Sequence, residues 1–134
     1  MPRLEPSPTP LSEPFWDATR SQQLVVQRCD DCNATVWYPR ERCTSCLGDR
    51  LRWVESHGRG EVYTFNIMHK AGNPMLADMA PFVLALVDLD DGYRMATNIV
   101  GCEPTAVRCG LRVEVSWDEE LSDGRRLPLF RPAT

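Results

Sequence analysis

The sequence is poor in positive charge, in lysine and in long apolar runs. Fifteen lysines and arginines stand against nineteen acidic residues, a formal net charge of −4, and Lys70 is the only lysine. Sequence-independent nucleic-acid binding relies on a surplus of positive charge, so the composition argues against a nucleic-acid partner. No stretch approaches the roughly 20 consecutive apolar residues of a membrane span, so we expect no membrane partner.

The chain is also short for a self-contained enzyme of a complex substrate. Its 134 residues correspond to one domain or to two very small units, and 43% hydrophobic residues predict a globular protein with a modest core. Residues 1–14 contain five prolines, which predicts an extended arm. The same residues contain no apolar signal-peptide core. We therefore expect a cytoplasmic protein with reduced thiols.

Four of the six cysteines form two pairs with metal-ligand spacing. Cys29 and Cys32 make one Cys-x2-Cys knuckle, and Cys43 and Cys46 make a second one ten residues later. Two such turns close a tetrahedral cage of four thiolates, which is typical of structural zinc and leaves no coordination position for catalysis. A rubredoxin-like iron site, disulfides and reduced buried thiols are the alternatives.

A short helix is predicted between the arm and the first knuckle. Ser12 stands at the N-cap and Pro14 in the first turn, with Phe15 and Trp16 as apolar anchors. Because so short a helix is marginal alone, these two aromatic residues need another surface. That surface is either the rest of the chain or a partner, so both are candidate partner-interface residues.

The remaining pattern predicts a mostly β protein with a four-Cys zinc ribbon and a C-terminal five-stranded OB-fold barrel; an open sheet is the alternative. The expected units are arm and helix 1–22, zinc ribbon 23–56 and OB-fold domain 57–134. An Asp-Gly turn at residues 91–92 joins the predicted strands 82–88 and 93–100 as a hairpin. Helical turns are expected at 75–79 and 103–108. The predicted strands are 24–28, 51–55, 61–70, 82–88, 93–100, 111–117 and 127–130.

Strict alternation is expected along the long strand 61–70. One face would carry Val62, Thr64, Asn66 and Met68, and the other Tyr63, Phe65, Ile67 and His69.

Taken in order, these motifs resemble a known family. It comprises the zinc-ribbon plus OB-fold proteins that accompany acyl-CoA enzymes, long catalogued as a domain of unknown function. One departure is Ala34, where the family pattern leads us to expect glycine. The motifs that carry the resemblance are Pro14 to Trp16, the two knuckles, Pro39 and Arg40, Gly58 to Tyr63, Pro81 to Val87, Gly92 to Arg94 and Leu127 to Pro132.

The resemblance implies a non-catalytic accessory subunit. Its partner would be a thiolase-like aldolase or lyase of steroid side-chain breakdown, a thiolase or an enoyl-CoA hydratase, in a hetero-oligomer that is expected to be a heterotetramer. The partner would carry the carbon–carbon bond chemistry, while this subunit stabilises it and shapes the acyl-CoA channel. Structural zinc is the implied cofactor and acyl-CoA the shared ligand.

An acyl-CoA ligand needs cationic groups for its phosphates and apolar surface for its arm. Solvated strand ends and plain barrel core are the alternative explanations for the residues that meet these needs. The candidate CoA or acyl-binding residues are Arg59, Tyr63, Phe65, Lys70, Phe82 and Arg94.

No nucleophile, base and acid stand in a recognisable arrangement, so no catalytic residue is predicted. Cys102 and Cys109 are expected to be small packing residues. Two further hypotheses remain: a single-stranded nucleic-acid module, because zinc ribbons and OB barrels bind such strands, and a stand-alone thiol enzyme using one of these two cysteines.

Overall fold

The computed structural model describes residues 5–70, 74 and 80–133. Within these residues one α-helix, α1 (Glu13–Arg20), precedes eight strands, and a 3-10 helix at Pro104–Ala106 lies between the sixth and the seventh. The strands are β1 (Val25–Cys29), β2 (Thr35–Val36), β3 (Leu51–Glu55), β4 (Arg59–Met68), β5 (Phe82–Leu89), β6 (Tyr93–Ile99), β7 (Arg112–Ser116) and β8 (Leu129–Pro132).

Helix α1 begins where the sequence predicts. Ser12 occupies the N-cap position, but its side chain makes no capping hydrogen bond. Its hydroxyl instead accepts a hydrogen bond from the Thr9 backbone N–H at 2.9 Å, which closes a turn ahead of the helix. Glu13 in the first turn and Arg20 in the last turn carry charges opposite to the partial charges of the helix dipole at those ends.

The two knuckles sit on a small antiparallel sheet with strand order β2-β1-β3. Strand β1 pairs with β3 along its whole length, from Val25 opposite Glu55 to Cys29 opposite Leu51. Strand β2 was not predicted, because two residues are too few to show a period of hydrophobicity. This short strand places the chain after the first knuckle against β1.

The second unit is a closed barrel of five strands in the order β4-β5-β6-β8-β7, with β7 pairing back onto β4. All neighbours are antiparallel except β6 and β8, which run parallel and pair through Ile99 and Phe130. This is the strand order of an OB fold. The predicted fold class is therefore confirmed: mostly β, with one short helix, a four-cysteine cluster and a five-stranded closed barrel.

The strict alternation predicted for the long strand is wrong. The register against β5 shifts between Val62 and Thr64, so Tyr63 is the extra residue of a β-bulge. After the bulge the facing of the strand reverses, and Phe65 and Ile67 pack on the same core as Val62. A bulge depends on pairing with a distant strand, so a local pattern does not reveal it.

The predicted helical connection at 103–108 is the 3-10 turn Pro104–Ala106. The helical turn expected at 75–79 lies outside the described residues. Among the residues that the structure describes, no helix has the length and apolar character required to cross a bilayer.

One hydrophobic core extends from the helix through the ribbon into the barrel. It includes Phe15 of α1 and Val26 of β1 together with barrel residues such as Phe130. Trp37 forms the bridge, because its ring centroid lies 5.3 Å from that of Phe15 and 5.5 Å from that of Tyr93. The ribbon and the barrel are therefore fixed against each other by shared packing.

Candidate functional site

The four knuckle cysteines converge on one point. Their sulfur atoms all lie within 4.8 Å of one another, with Cys29 and Cys46 at 3.6 Å and Cys32 and Cys43 at 3.5 Å. All four are free cysteines. A tetrahedral cage with Zn–S bonds of about 2.3 Å has edges of about 3.8 Å, so the spacing fits a four-thiolate metal site and is far too long for disulfides.

Each knuckle turns tightly because one residue adopts the left-handed conformation. Asn33 has φ 63 and Leu47 has φ 64. These turns point backbone N–H groups at sulfur, including Ser45 N to Cys43 Sγ at 3.3 Å. Hydrogen bonds from the Cys46 and Ser45 backbone lower the pKa of the Cys43 thiol to about 7, whereas the pKa values of Cys32 and Cys46 are raised, because contacts with neighbouring sulfur atoms outweigh hydrogen bonds from the backbone of Ala34 and Gly48.

Two ion pairs hold the first knuckle to the start of β3. Arg50 binds the carboxylate of Asp31, which lowers the pKa of that carboxyl, and Arg52 binds Asp30 at 2.6 Å. Gly48 lies beside this contact, and a side chain there would displace the Asp31 carboxylate, because a Cβ would lie 2.7 Å from Asp31 Oδ2 and 3.3 Å from Cys46 Sγ. The loops are thus arranged around the sulfur cluster.

Four thiolates fill a tetrahedral ion's coordination shell and leave no position for substrate. The cluster is therefore consistent with a structural metal such as zinc. The two remaining cysteines lie outside it: Cys109 is exposed, and Cys102 is partly buried. Burial and the nearby Glu103 raise the pKa of Cys102, which is unfavourable for a catalytic thiol.

An apolar groove of about 430 Å³ lies where helix, ribbon and barrel meet. Its aromatic wall comes from Phe15, Trp16, Trp37 and Tyr38, and strand β6 and residues 127–129 form most of the rest. None of the lining residues in the described part of the chain carries a formal charge. Sequence reasoning missed this groove, although adjacent Trp37 and Tyr38 after the first knuckle were an available signal.

The groove follows an incompletely paired edge of the barrel. Among the described residues, strand β6 pairs with β8 only at Ile99. Further back along β6 the Tyr38 hydroxyl accepts the Ala96 backbone N–H at 3.2 Å, and Thr97 Oγ1 donates to the Pro128 carbonyl at 2.9 Å. Side chains therefore replace strand pairing here, and the space between them is the groove.

Trp37 contributes a polar atom to this region. Its indole Nε1 is buried and has no hydrogen-bond partner among the described residues. An unpaired buried donor costs roughly 1–3 kcal/mol.

Of the six candidate CoA-binding residues, the structure brings Tyr63 and Arg94 together. The Arg94 guanidinium lies 3.5 Å from the Tyr63 ring centroid, and Asp88 binds the same guanidinium at 2.5 Å. The bulge at Tyr63 turns its ring outward, where it is 52% exposed. The result is a cation stacked on an aromatic ring on the outer face of the barrel.

The other four candidates do not join this pair. Arg59 is the first residue of β4 and contacts Glu114 of β7 at 4.0 Å. Phe65 packs on the core, and Phe82 pairs with Met68 at the far end of β4. Lys70 follows the end of β4 and is exposed.

Phe15 and Trp16 also differ from each other. Phe15 is only 5% exposed and belongs to the protein's own core. Trp16 is partly buried, lies 5.1 Å from Phe15 in an edge-on contact, and lines the groove. Only Trp16 keeps surface that a partner could contact.

Sequence reasoning also missed a buried polar network at the junction of ribbon and barrel. Asp91 in the β5–β6 turn accepts hydrogen bonds from the Ser56 hydroxyl and the His57 backbone. Tyr93 donates to Ser56 Oγ at 3.0 Å, and burial raises the pKa of Tyr93. The signal was present as the acidic turn at 88–91, but its partners are more than 30 residues away in sequence.

Arg125 is a second missed residue. Its side chain is 5% exposed, binds Asp123 at 2.7 Å and donates to the Pro6 carbonyl at 2.8 Å. Its guanidinium also lies 5.3 Å from the Trp16 ring centroid. Arg125 therefore fastens the N-terminal arm beside the groove.

Two family models match this chain. The one described as "ChsH2, rubredoxin-like zinc ribbon domain" matches residues 16–52, and "ChsH2, C-terminal OB-fold domain" matches residues 53–118. A chain of the solved structure described as "Ltp2-ChsH2(DUF35) aldolase" is 33% identical with a TM-score of 0.86, and the match covers 97% of this chain and 100% of that one. The chain belongs to the ChsH2/DUF35 family. The resemblance inferred from the sequence motifs is confirmed.

Two curated relatives are larger proteins. A probable enoyl-CoA hydratase alpha subunit of Thermomonospora curvata is 37% identical over 89% of this chain. The 3-oxo-4,17-pregnadiene-20-carboxyl-CoA hydratase alpha subunit of Mycobacterium tuberculosis is 29% identical over 85% of it. This chain spans only 37% and 36% of their respective lengths. The ChsH2/DUF35 chain thus corresponds to one part of each relative.

Ala34, the departure from the expected ChsH2/DUF35 motif, is accommodated without strain. The left-handed residue of the first knuckle is Asn33, one position earlier. The Ala34 carbonyl accepts the Cys29 backbone N–H at 2.9 Å, and its side chain packs beside Cys29 and Val36. A glycine is not needed at position 34 for this turn.

Proposed function

We propose that this chain is a non-catalytic accessory subunit of a thiolase-like acyl-CoA enzyme, most closely an aldolase or lyase. The observation that carries the proposal is the match to a chain of the Ltp2-ChsH2(DUF35) aldolase, at 33% identity over 97% of this chain. Similarity across the whole length supports the same mode of assembly. The expected complex is a heterotetramer.

The chemistry of the site supports a non-catalytic role. The thiolate cluster has no open coordination position when it holds a tetrahedral ion, and the groove is lined by uncharged residues. We assign one structural Zn²⁺ to Cys29, Cys32, Cys43 and Cys46. Zinc would stabilise the ribbon, which buries few side chains around the cluster, and the carbon–carbon bond chemistry belongs to the partner.

The shared ligand in this proposal is an acyl-CoA of steroid side-chain degradation. One relative is a hydratase subunit for a steroid-derived CoA ester, which supports that substrate class. Arg94, whose guanidinium also binds Asp88, stacks on Tyr63 and offers guanidinium donors and an aromatic face on the barrel surface. Arg59, Lys70, Phe65 and Phe82 lie apart from this pair and have weaker support as ligand contacts.

Single-stranded nucleic acid is disfavoured by the charge distribution. Nine arginines of the described part of the chain lie within 4.0 Å of a carboxylate, so they form no uncompensated basic stripe. These residues are Arg20, Arg50, Arg52, Arg59, Arg94, Arg112, Arg125, Arg126 and Arg131. A salt-dependent shift with a 20-residue oligonucleotide would revive this alternative.

Co-expression with a thiolase-like protein of the same genome tests the proposal. We expect the two chains to co-purify, light scattering to give a heterotetramer, and aldolase turnover by the partner to fall when this chain is withheld. Trp16→Ala should weaken co-purification with the partner, because Trp16 lines the groove. Trp117→Ala is the control for the general effect of removing a tryptophan. A chain that stays monomeric beside every such protein, or partner turnover that is unchanged without it, would refute the proposal.

A further inference from the structure

We propose that Gln27 is a positioning residue of the metal site: its side-chain amide clamps the backbone of Arg40 and so holds the second knuckle against the first. Zinc as the ion in the cluster rests on the proposed function. The contact between Gln27 and Arg40 does not, because its two hydrogen bonds involve no metal ligand.

The Gln27 amide pairs with Arg40 much as the backbone of one strand residue pairs with that of another. Its Nε2 donates to the Arg40 carbonyl at 3.0 Å, and its Oε1 accepts the Arg40 backbone N–H at 2.8 Å. A primary amide carries both a donor and an acceptor, so one side chain satisfies both backbone groups of Arg40. The contact therefore fastens backbone that lies beyond the end of β2 at Val36.

The backbone that Gln27 holds has few other partners. Residues 37–43 form no helix or strand. Outside strand pairing, no backbone–backbone hydrogen bond joins residues 38–42 to another residue in the described part of the chain. Tyr38 fastens the beginning of this segment to the barrel, because its hydroxyl accepts the Ala96 N–H at 3.2 Å. Gln27 fastens the part that leads into Cys43.

Gln27 and Arg40 occupy similar positions relative to the two knuckles. Gln27 precedes Cys29 by two residues along β1, and Arg40 precedes Cys43 by three residues. Cys29 and Cys43 are also the two buried members of the sulfur cluster, whereas the other two cysteines of the cluster are exposed. The clamp therefore joins the two chain segments that lead to the inner pair of ligands.

The burial of Gln27 supports this role. Gln27 is only 5% exposed, although its neighbour Val26 is the residue that packs in the shared core. Successive side chains of a strand point to opposite faces, so Gln27 lies on the face of β1 that is turned away from that core. A buried amide is tolerated when it is hydrogen-bonded, and both of its bonds go to Arg40. The segment before Cys43 therefore supplies the partners of a buried glutamine.

Metal affinity depends on this arrangement by linkage. The ion binds four thiolates only when both knuckles are in place, so a contact that holds them together adds to the metal affinity. Residues that orient metal ligands without binding the metal contribute factors of about 10–100 to metal affinity. Gln27 makes no hydrogen bond to a ligand, so an effect at the lower end of that range is expected.

Zinc titration of the full chain in competition with a chelator tests the clamp. Gln27→Met keeps the length of the side chain and removes both hydrogen bonds to Arg40. It should lower the zinc affinity about tenfold. Arg40 is exposed, so water can replace the partners that its backbone loses, and the variant should fold. A thermal midpoint for the zinc-loaded variant checks that it does.

Two further variants are the controls. Gln23→Met makes the same substitution at an exposed glutamine ahead of β1 and should keep the zinc affinity of the wild type. Thr19→Val removes two hydrogen bonds from a buried side chain of α1, one to the Trp16 carbonyl and one from the Arg126 backbone N–H. It should lower the thermal midpoint without weakening zinc binding, which separates the clamp from a general loss of stability.

Hydrogen exchange on the unaltered chain is a second measurement, and it does not depend on the folding of a variant. In the zinc-loaded chain the Arg40 amide should exchange more slowly than the amides of Glu41 and Arg42, which donate no hydrogen bond within the described part of the chain. Removal of zinc with a chelator should abolish the protection of Arg40, because the coupling between clamp and metal is reciprocal.

The proposal is overturned if Gln27→Met binds zinc as tightly as the wild type, if Thr19→Val weakens zinc binding to the same extent, or if the Arg40 amide is unprotected in the zinc-loaded chain. A wild-type chain that binds no zinc refutes the zinc assignment and the role of Gln27 together. Tight zinc binding that Gln27→Met shares refutes the role of Gln27 alone. The accessory role can hold in either case, because co-purification with the partner tests it separately.

Discussion

Nδ1 of His57 lies 2.8 Å from a carboxylate oxygen of Asp91. His57 belongs to the link between ribbon and barrel, and Asp91 lies in the tip of the β5–β6 hairpin. The other carboxylate oxygen accepts hydrogen bonds from the Ser56 hydroxyl and the His57 backbone N–H. One nearly buried carboxylate therefore fixes the start of the barrel to a turn 34 residues away in sequence.

Asp91→Asn should lower the free energy of unfolding by about 1–3 kcal/mol at neutral pH, because it weakens several charge-assisted hydrogen bonds at once. The measurement is urea denaturation followed by tryptophan fluorescence. The control is Asp88→Asn in the same hairpin, whose carboxylate pairs with Arg94 at the surface. The free energy of unfolding of this control should fall by less than about 1 kcal/mol.

The same variant should change how the free energy of unfolding depends on pH in the acid range. Burial by itself would raise the pKa of Asp91, but hydrogen bonds from Ser56 and His57 outweigh it and hold that pKa below its usual value. A carboxyl whose pKa is lower in the folded than in the unfolded protein stabilises the folded state at pH values above its unfolded pKa of about 3.9. That stabilisation is lost as the pH falls through the folded pKa. The difference between wild type and Asp91→Asn should therefore shrink below about pH 4. A constant difference from pH 7 to pH 3 would contradict this assignment.

Cys43→Ser should abolish stoichiometric metal binding, because a hydroxyl is a poor replacement for the fourth thiolate. Metal analysis should fall from one zinc per chain to near zero, with early unfolding of the ribbon, since metal affinity contributes folding free energy. The control is Cys109→Ser, at an exposed cysteine outside the cluster. It should keep its full zinc content; equal metal loss in both variants would refute the four-sulfur assignment.

Gly60→Ala should destabilise the barrel by about 3 kcal/mol through a steric clash. A Cβ at Gly60 would lie 2.2 Å from the Asp88 carbonyl oxygen, a backbone atom on the neighbouring strand. Gly110→Ala is the comparison, because its φ of +86 is strained for alanine but its Cβ meets nothing within 4 Å. That change should cost about 1 kcal/mol in thermal or chemical unfolding. Equal losses would show that strand packing at Gly60 relaxes around the methyl group.

Arg125→Met should release the N-terminal arm, because it removes the donor to the Pro6 carbonyl. It should also lower the free energy of unfolding by about 2 kcal/mol, because Asp123 loses its main partner. Limited proteolysis should cut the arm faster in this variant. Arg20→Met removes a more exposed arginine that also contacts Asp123, at 3.6 Å. It should cost below about 1 kcal/mol and leave the arm protected.

Much of this protein was predictable because its signals are local. The two Cys-x2-Cys pairs, the Asp-Gly hairpin turn and the proline in the first turn of α1 each act within a few residues. For the same reason β1, β3 and β6 appear close to their predicted positions. The bulge at Tyr63, strand β2 and the partners of Asp91 were missed, because each depends on a neighbour far away in sequence.

The sequence by itself determined the mostly β class, the gathering of four cysteines and the family, since knuckle spacing and motif order can be read without knowledge of packing. Only the tertiary structure decided that Phe15 is core while Trp16 faces a groove, and that Tyr63 turns outward beneath Arg94. The groove itself is a product of packing. It exists because α1, the ribbon and the incompletely paired edge of β6 meet around Trp37 and Tyr38, which no single segment encodes.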